Sequence, residues 1–153
     1  MSKKIAVVLI RGTVNTHPDV RKTLELLRLK KKHACVVVED NEISKGMLQK
    51  VKDYTTFGIV DEAFFVKMIE KRGELVGKNK VDSKFDAKKV AKEYFAGKIK
   101  LNEFENKYSL KPYFRLAPPV KGFERGGIKK PFTQKGVLGQ RGDKISELIE
   151  KML

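Results

Sequence analysis

Six cations stand between Ala117 and Gly142, in the stretch APPVKGFERGGIKKPFTQKGVLGQRG: Lys121, Arg125, Lys129, Lys130, Lys135 and Arg141, against the single acid Glu124. The same stretch holds six of the chain's twelve glycines and three of its five prolines. Ammonium and guanidinium groups neutralise phosphates, and glycines among them let a backbone approach a partner closely. Phe123, Ile128, Phe132 and Val137 add single apolar groups able to stack or wedge. Such a mixture suits folded RNA, which is read through its phosphates, its shape and its unstacked bases. The segment shows no helical or strand period. Ordering it costs ~1–2 kcal/mol of backbone entropy per residue, and phosphate contacts from a partner are the expected compensation.

The whole chain shares this bias. Its 153 residues carry a net charge of +15, divided as +7 over residues 1–38, −2 over 39–75, +5 over 76–111, +6 over 112–142 and −1 over 143–153. A compact body so charged repels itself and attracts polyanions, nucleic acid first, then an anionic membrane surface or an acidic protein. Cys35 is the only cysteine, and His17 and His33 are the only histidines, so neither a disulfide framework nor a metal centre is expected, and no cofactor. Cys35, inside the run ACVVV, reads as a small buried hydrophobe. Phosphate-loop, dinucleotide, zinc-protease and nucleophile-elbow motifs are missing from the sequence. GVLG and GQRG match the loop pattern of the KH module, which belongs between two helices, and here only one follows. Asp19, Asp61, Asp86 and Asp143 each stand at a helix start and read as caps, so no catalytic residue is assigned. The start MSKKIAVVLIRG is basic then apolar, but its apolar run is too short for a secretory signal, and no run reaches membrane-spanning length; an intracellular protein is expected.

These groups must be positioned by a frame. Ile5–Ile10 and Ala34–Glu39 read as buried strands and Tyr113–Ala117 as a third, stopped by Pro118-Pro119. Between the first two, Thr16 is the expected cap of a helix whose face is Val20, Leu24 and Leu27, broadened by Leu26 and Leu29. Lys30-Lys31-Lys32 closes it, where cations complement the negative helix end. Lys30 and Lys31 are therefore candidates for RNA contact that also have a structural explanation. Ser44 is the expected cap of a second helix, with Ile43 stapling onto Leu48. Asp61 and Asp86 start two more, closed by Gly73 and Gly97. LNEFENKY reads as a short helix, and Asp143 caps a last one bearing Ile145, Leu148, Ile149 and Met152 at helical spacing. The fold class is α+β in a single domain over 1–153: a core of 1–58 and 111–153, with a helical insertion at 59–110 before the third strand. The insertion is either a small lobe or an extra layer on the sheet.

Four quoted stretches carry a family resemblance. IAVVLIRGTVNTHPDVRKTLELLRLKKKHACVVVEDN, with Arg11-Gly12, Val20-Arg21-Lys22 and Leu26–Leu29, leads into ISKGMLQKVKDYTTFGIVDEAFFVKMIEKRG. FRLAPPVKGFERGGIKK and GQRGDKISELIEKML follow. Together they resemble the large-subunit ribosomal protein thirty family, called protein seven in eukaryotes, in its long archaeal and eukaryotic form. The long basic extension that precedes the eukaryotic domain is missing here, so an archaeal member is expected. The resemblance implies a β-α-β-α-β core with a three-stranded, mainly antiparallel sheet, somewhat like ferredoxin. It implies a structural, non-enzymatic component of the cytoplasmic ribosome, bound to large-subunit rRNA near 5S rRNA and to neighbouring large-subunit proteins, with no membrane and no small-molecule substrate. It also implies RNA-facing roles for Arg11, Gly12, Arg21, Lys22 and Arg28 from the first stretch, and for Gly122, Lys129, Lys130, Gly139, Arg141 and Gly142 from the last two. The alternatives are an RNA-binding or chaperone module outside the ribosome and an enzyme on small phosphorylated ligands.

Overall fold

The computed structural model describes residues 4–77, 80, 85–123 and 125–153, so Glu124 and most of 78–84 lie outside the described residues. Strand β1 (Lys4–Leu9) is buried along its whole length, which a two-sided apolar run demands. Its side chains alternate. Ile5, Val7 and Leu9, with Val36 and Val38 of β2 (Ala34–Glu39), meet Leu24 of α1 (Pro18–Leu26) and Leu48 and Val51 of α2 (Glu42–Val51). Ala6 and Val8, with Cys35 and Val37, face the other way. They pack with α3 (Glu62–Arg72), α4 (Ala87–Phe95), α5 (Phe104–Tyr108) and α6 (Ile145–Met152). The middle helices are thus a layer on the sheet. Phe65 of α3 sits at its centre, its ring centroid 5.5 Å from Tyr94, 5.7 Å from Phe95 and 6.0 Å from Phe114. The Tyr94 hydroxyl donates to the Val37 carbonyl at 2.6 Å, fastening α4 to the sheet. Cys35 is fully buried, and burial pushes its thiol well above the ordinary range, in keeping with a core role.

The architecture is α+β, but the expected three-stranded sheet is corrected. The sheet has five strands in the order β4-β2-β1-β3-β5. β1 runs antiparallel to β2 and to β3 (Thr55–Val60). β4 (Phe114–Arg115) is antiparallel to β2, and β5 (Gly139–Gln140) is parallel to β3. The third long strand is therefore TTFGIV, directly before α3, and not Tyr113–Ala117. The latter yields only the two-residue edge strand β4, clipped by Pro112 on one side and Pro118-Pro119 on the other.

Gly58 hides β3 from a propensity reading and is also what the fold requires there. A Cβ at Gly58 would lie 2.1 Å from the Gly142 carbonyl oxygen and 2.8 Å from Ile145 Cβ. The Gly58→Ala chain is expected to lose about 1–3 kcal/mol of stability, the usual range for overpacking. Urea denaturation checks this, and an unchanged midpoint would contradict the close approach.

Several caps also differ from expectation. His17, not Thr16, caps α1: its Nδ1 accepts from the Asp19 N–H at 3.2 Å. Asn41, not Ser44, caps α2, accepting from the Ser44 N–H at 2.8 Å, and Ile43 is exposed rather than stapled. Leu26 is exposed, while Leu29 is buried. Asp61 and Asp86 cap as expected, through the N–H groups of Phe64 at 2.8 Å and Lys89 at 3.0 Å. Gly73 ends α3, and Gly97, at φ 79°, follows α4. Asp143 lies in a single 3-10 turn (Gly142–Lys144), and α6 starts only at Ile145.

Candidate nucleic-acid interface

The strand register sorts charge to the two ends of the sheet. Leu9 stands opposite Thr55, Val8 opposite Cys35, Ala34 opposite Arg115 and Thr56 opposite Gly139. Arg11-Gly12 after β1, Lys30–Lys32 before β2, Arg115 on β4 and the glycine-rich segment leading into β5 consequently share one end. At the other end Lys4 stands opposite Glu39 and Val60. The acids Glu39, Asp40, Asp61 and Glu62 gather there. Chain segments about 20 to 130 residues apart in sequence thus present one basic end and one acidic end.

At the basic end, Arg11 is anchored: its guanidinium lies 5.1 Å from the Tyr54 ring centroid and donates to the Asp53 carbonyl at 3.3 Å. Arg21 donates to the Thr13 carbonyl at 2.9 Å, bracing the loop that carries exposed Gly12. Lys22, Lys30 and Lys31 are exposed. Arg28, at φ 63°, donates to Asn102 Oδ1 at 2.7 Å and so links the end of α1 to the short helices before β4. Arg28, Lys30, Lys31 and Arg115 line one concavity with Ala34, Glu105, Pro112 and Tyr113, of about 220 Å³. Tyr113 and Arg115 belong to this basic end yet are not among the expected RNA-facing residues. Their signal was an aromatic two positions before an arginine, which as a strand motif reads as ordinary packing.

The glycine-rich segment corrects a second expectation: the chain itself holds it. Its root is tied to the end of α6, where the Ala117 and Val120 N–H groups donate to the Met152 and Lys151 carbonyls, each at 3.0 Å. Phe123 stacks on His33, with ring centroids 6.1 Å apart. Burial and the Lys32 charge hold the His33 imidazole below its ordinary pKa and so favour its neutral form. Further on, the Lys130 carbonyl accepts from both Val137 and Leu138, at 3.0 and 3.1 Å. A Cβ at Gly136 would lie 2.1 Å from that carbonyl, so the glycine allows the segment to cross itself rather than a partner. Val137 and Leu138 enter the core. Lys121, Arg125, Lys129, Lys130 and Lys135 remain exposed on the folded loop. Gly122, Gly139 and Gly142 have positive φ, Gly139 within β5.

Arg141 is the exception among the cations of this loop, for it is only 6% exposed. Its Nε donates to Thr56 Oγ1 at 2.8 Å and its Nη2 to the Val137 carbonyl at 3.1 Å, and its guanidinium carbon lies 4.7 Å from the Phe132 ring centroid. Thr56 Oγ1 in turn donates to the Gly139 carbonyl at 3.0 Å. This side chain, expected to face RNA, is turned inward and clamps the basic loop onto β3.

Comparison with known proteins decides the family. The model of the family described as Ribosomal protein L30p/L7e matches residues 5–55. A protein of Desulfurococcus amylolyticus named large ribosomal subunit protein uL30 is 44% identical over 165 residues, covering 100% of both chains. Its namesake in Methanococcus vannielii is 42% identical over 157 residues, covering 97% of this chain and 98% of the relative. The one in Nanoarchaeum equitans is 38% identical over 151 residues, covering 94% and 95%. The chain belongs to the L30p/L7e family of ribosomal proteins.

Within this L30p/L7e member, the Arg141 clamp makes a checkable prediction. Arg141→Lys keeps the charge but loses the planar fork. With two buried charged hydrogen bonds impaired, about 2 kcal/mol of stability is expected to be lost. Trypsin is expected to cut between Lys121 and Lys135 about tenfold faster than in the parent chain. Digestion at the parent rate would refute the clamp.

Proposed function

We propose that this chain is a structural constituent of the large ribosomal subunit that binds large-subunit rRNA through the basic end of its sheet and the exposed lysines of its glycine-rich loop. One observation carries the reading: the register and the loop bring Arg11, Lys30, Lys31, Arg115 and the loop cations to the same end, opposite the acids. Such an asymmetric body docks basic end first on a phosphate surface and leaves its other end for neighbouring large-subunit proteins. The rRNA surface is that around 5S rRNA, in a cytoplasmic, archaeal-type ribosome, and the role includes no chemical reaction. The split β2-α2-β3 crossover around β1 supports a ferredoxin-like core, and residues 1–153 act as one unit.

The test is sucrose-gradient sedimentation of a tagged copy expressed in an archaeal host. The tag is expected in the large-subunit peak at low salt and to leave it as salt rises, since each neutralised phosphate contributes about one power of salt concentration. A tag that stays at the top of the gradient at every salt concentration while the purified chain binds assorted RNAs equally would replace this reading with an extra-ribosomal RNA-binding module.

A further inference from the structure

The concavity lined by Arg28, Lys30, Lys31, Tyr113 and Arg115 differs from the rest of the basic end. Here four cations surround a hollow that also has a floor of apolar and aromatic groups, Ala34, Pro112 and Tyr113. Two of its arginines are braced. Arg28 is held by Asn102, and the Arg115 guanidinium carbon lies 6.0 Å from the Tyr113 ring centroid. Lys30 and Lys31 add exposed point charges to its lining. Glu105 is the single acid in the wall. It disfavours a second phosphate and offers an acceptor to a base edge.

Size narrows the occupant. About 220 Å³ is below the ~300–1,000 Å³ usual for a free small-molecule ligand, and the hollow opens along the edge strand β4. One group of a longer chain fits this description better than a free metabolite. The cations call for phosphate, and the tyrosine and proline floor calls for a flat ring.

Resting on the ribosomal reading above, we propose that this cleft receives a single unpaired nucleotide of the RNA, its base on Tyr113 and its phosphate among Arg28, Lys30, Lys31 and Arg115. The cleft then reads a bulged or looped-out position, whereas the glycine-rich loop meets backbone alone.

The experiment uses the full chain and two probes, a fluorescent single-stranded oligocytidylate hexamer and a blunt RNA duplex, titrated by anisotropy in low salt. Loss of one base–aromatic stack is expected to weaken hexamer binding by Tyr113→Leu on the order of tenfold. Duplex binding should stay within twofold, and Tyr113→Phe should restore the hexamer affinity. The Lys30→Ser/Lys31→Ser pair, which is exposed and outside the core, should lower the salt slope for the hexamer by about two. Equal loss on both probes, no loss on either, or full competition by polyglutamate would overturn the cleft. If Tyr113→Leu fails to fold, the tyrosine-to-phenylalanine and double-serine variants still decide, because an unchanged salt slope in the latter sinks the proposal by itself. Should the chain sediment with large subunits while these variants bind like the parent, the cleft falls and the ribosomal role stands; the reverse pattern removes the ribosomal role.

Discussion

Phe65→Ala is expected to lower the folding free energy by about 3–5 kcal/mol, the cost of deleting a buried phenyl ring from a core that closes only partly over the gap. Phe65 is 1% exposed and touches the rings of Tyr94, Phe95, Phe104 and Phe114, which come from α4, α5 and β4. Phe65 thereby ties α3 to three other elements. Aromatic pairs add about 0.5–1.5 kcal/mol each beyond buried area, so the upper half of the range is expected. Since a domain of this size holds only about 5–15 kcal/mol in total, the variant should melt much earlier and bind hydrophobic dye at growth temperature. Guanidinium denaturation measures the loss. A midpoint within experimental error of the parent would show that the layer over the sheet is not one cooperative unit.

The second large effect is electrostatic. Lys129, Lys130 and Lys135 are exposed on a loop whose backbone is fixed by its own hydrogen bonds. Replacing all three with serine should leave the melting temperature nearly unchanged, because exposed substitutions rarely exceed about 0.5 kcal/mol. RNA affinity should fall on the order of 10²-fold at about 0.15 M salt, with the slope of log K against log salt reduced by about 2.7, or about 0.9 per lost phosphate contact. Arg141 is left intact in this design, because removing it would release the loop and confuse a charge effect with a folding one. A slope equal to the parent's would place the loop away from the phosphates.

A preformed loop also changes the energetics of binding. A segment ordered only by its partner surrenders backbone entropy at the moment of docking. Here the buried Val137 and Leu138, the β5 pairing and the Arg141 clamp have already ordered its second half. In the proposed RNA-binding role, phosphate contacts by its lysines would go into affinity rather than into folding the loop.

How much of this could be read from residues alone varies by element. β1 and β2 are legible because both faces are apolar and β-branched, and α3 and α4 because an aspartate cap and a following glycine mark their ends. β3 escapes notice because Gly58 breaks its run, and the reason for that glycine lies in Gly142 and Ile145, more than eighty residues away. Asn41 displaces Ser44 as a cap because α2 begins at Glu42, which puts Ser44 inside the first turn with its N–H donated to Asn41.

For the site, residue types determined the chemistry. An excess of lysine and arginine over acid makes the surface cationic whatever the fold, since charge and donor type belong to the side chain itself. Which cations act together was decided only in three dimensions. Antiparallel register turns chain distance into shared ends of a sheet, so Arg115 joins Lys30 and Lys31, and Glu39 joins Asp61. Burial then separates like from like: Lys130 and Arg141 lie in the same glycine-rich stretch, yet one reaches solvent while the other is drawn between β3 and the loop, where it donates to the Thr56 hydroxyl and the Val137 carbonyl.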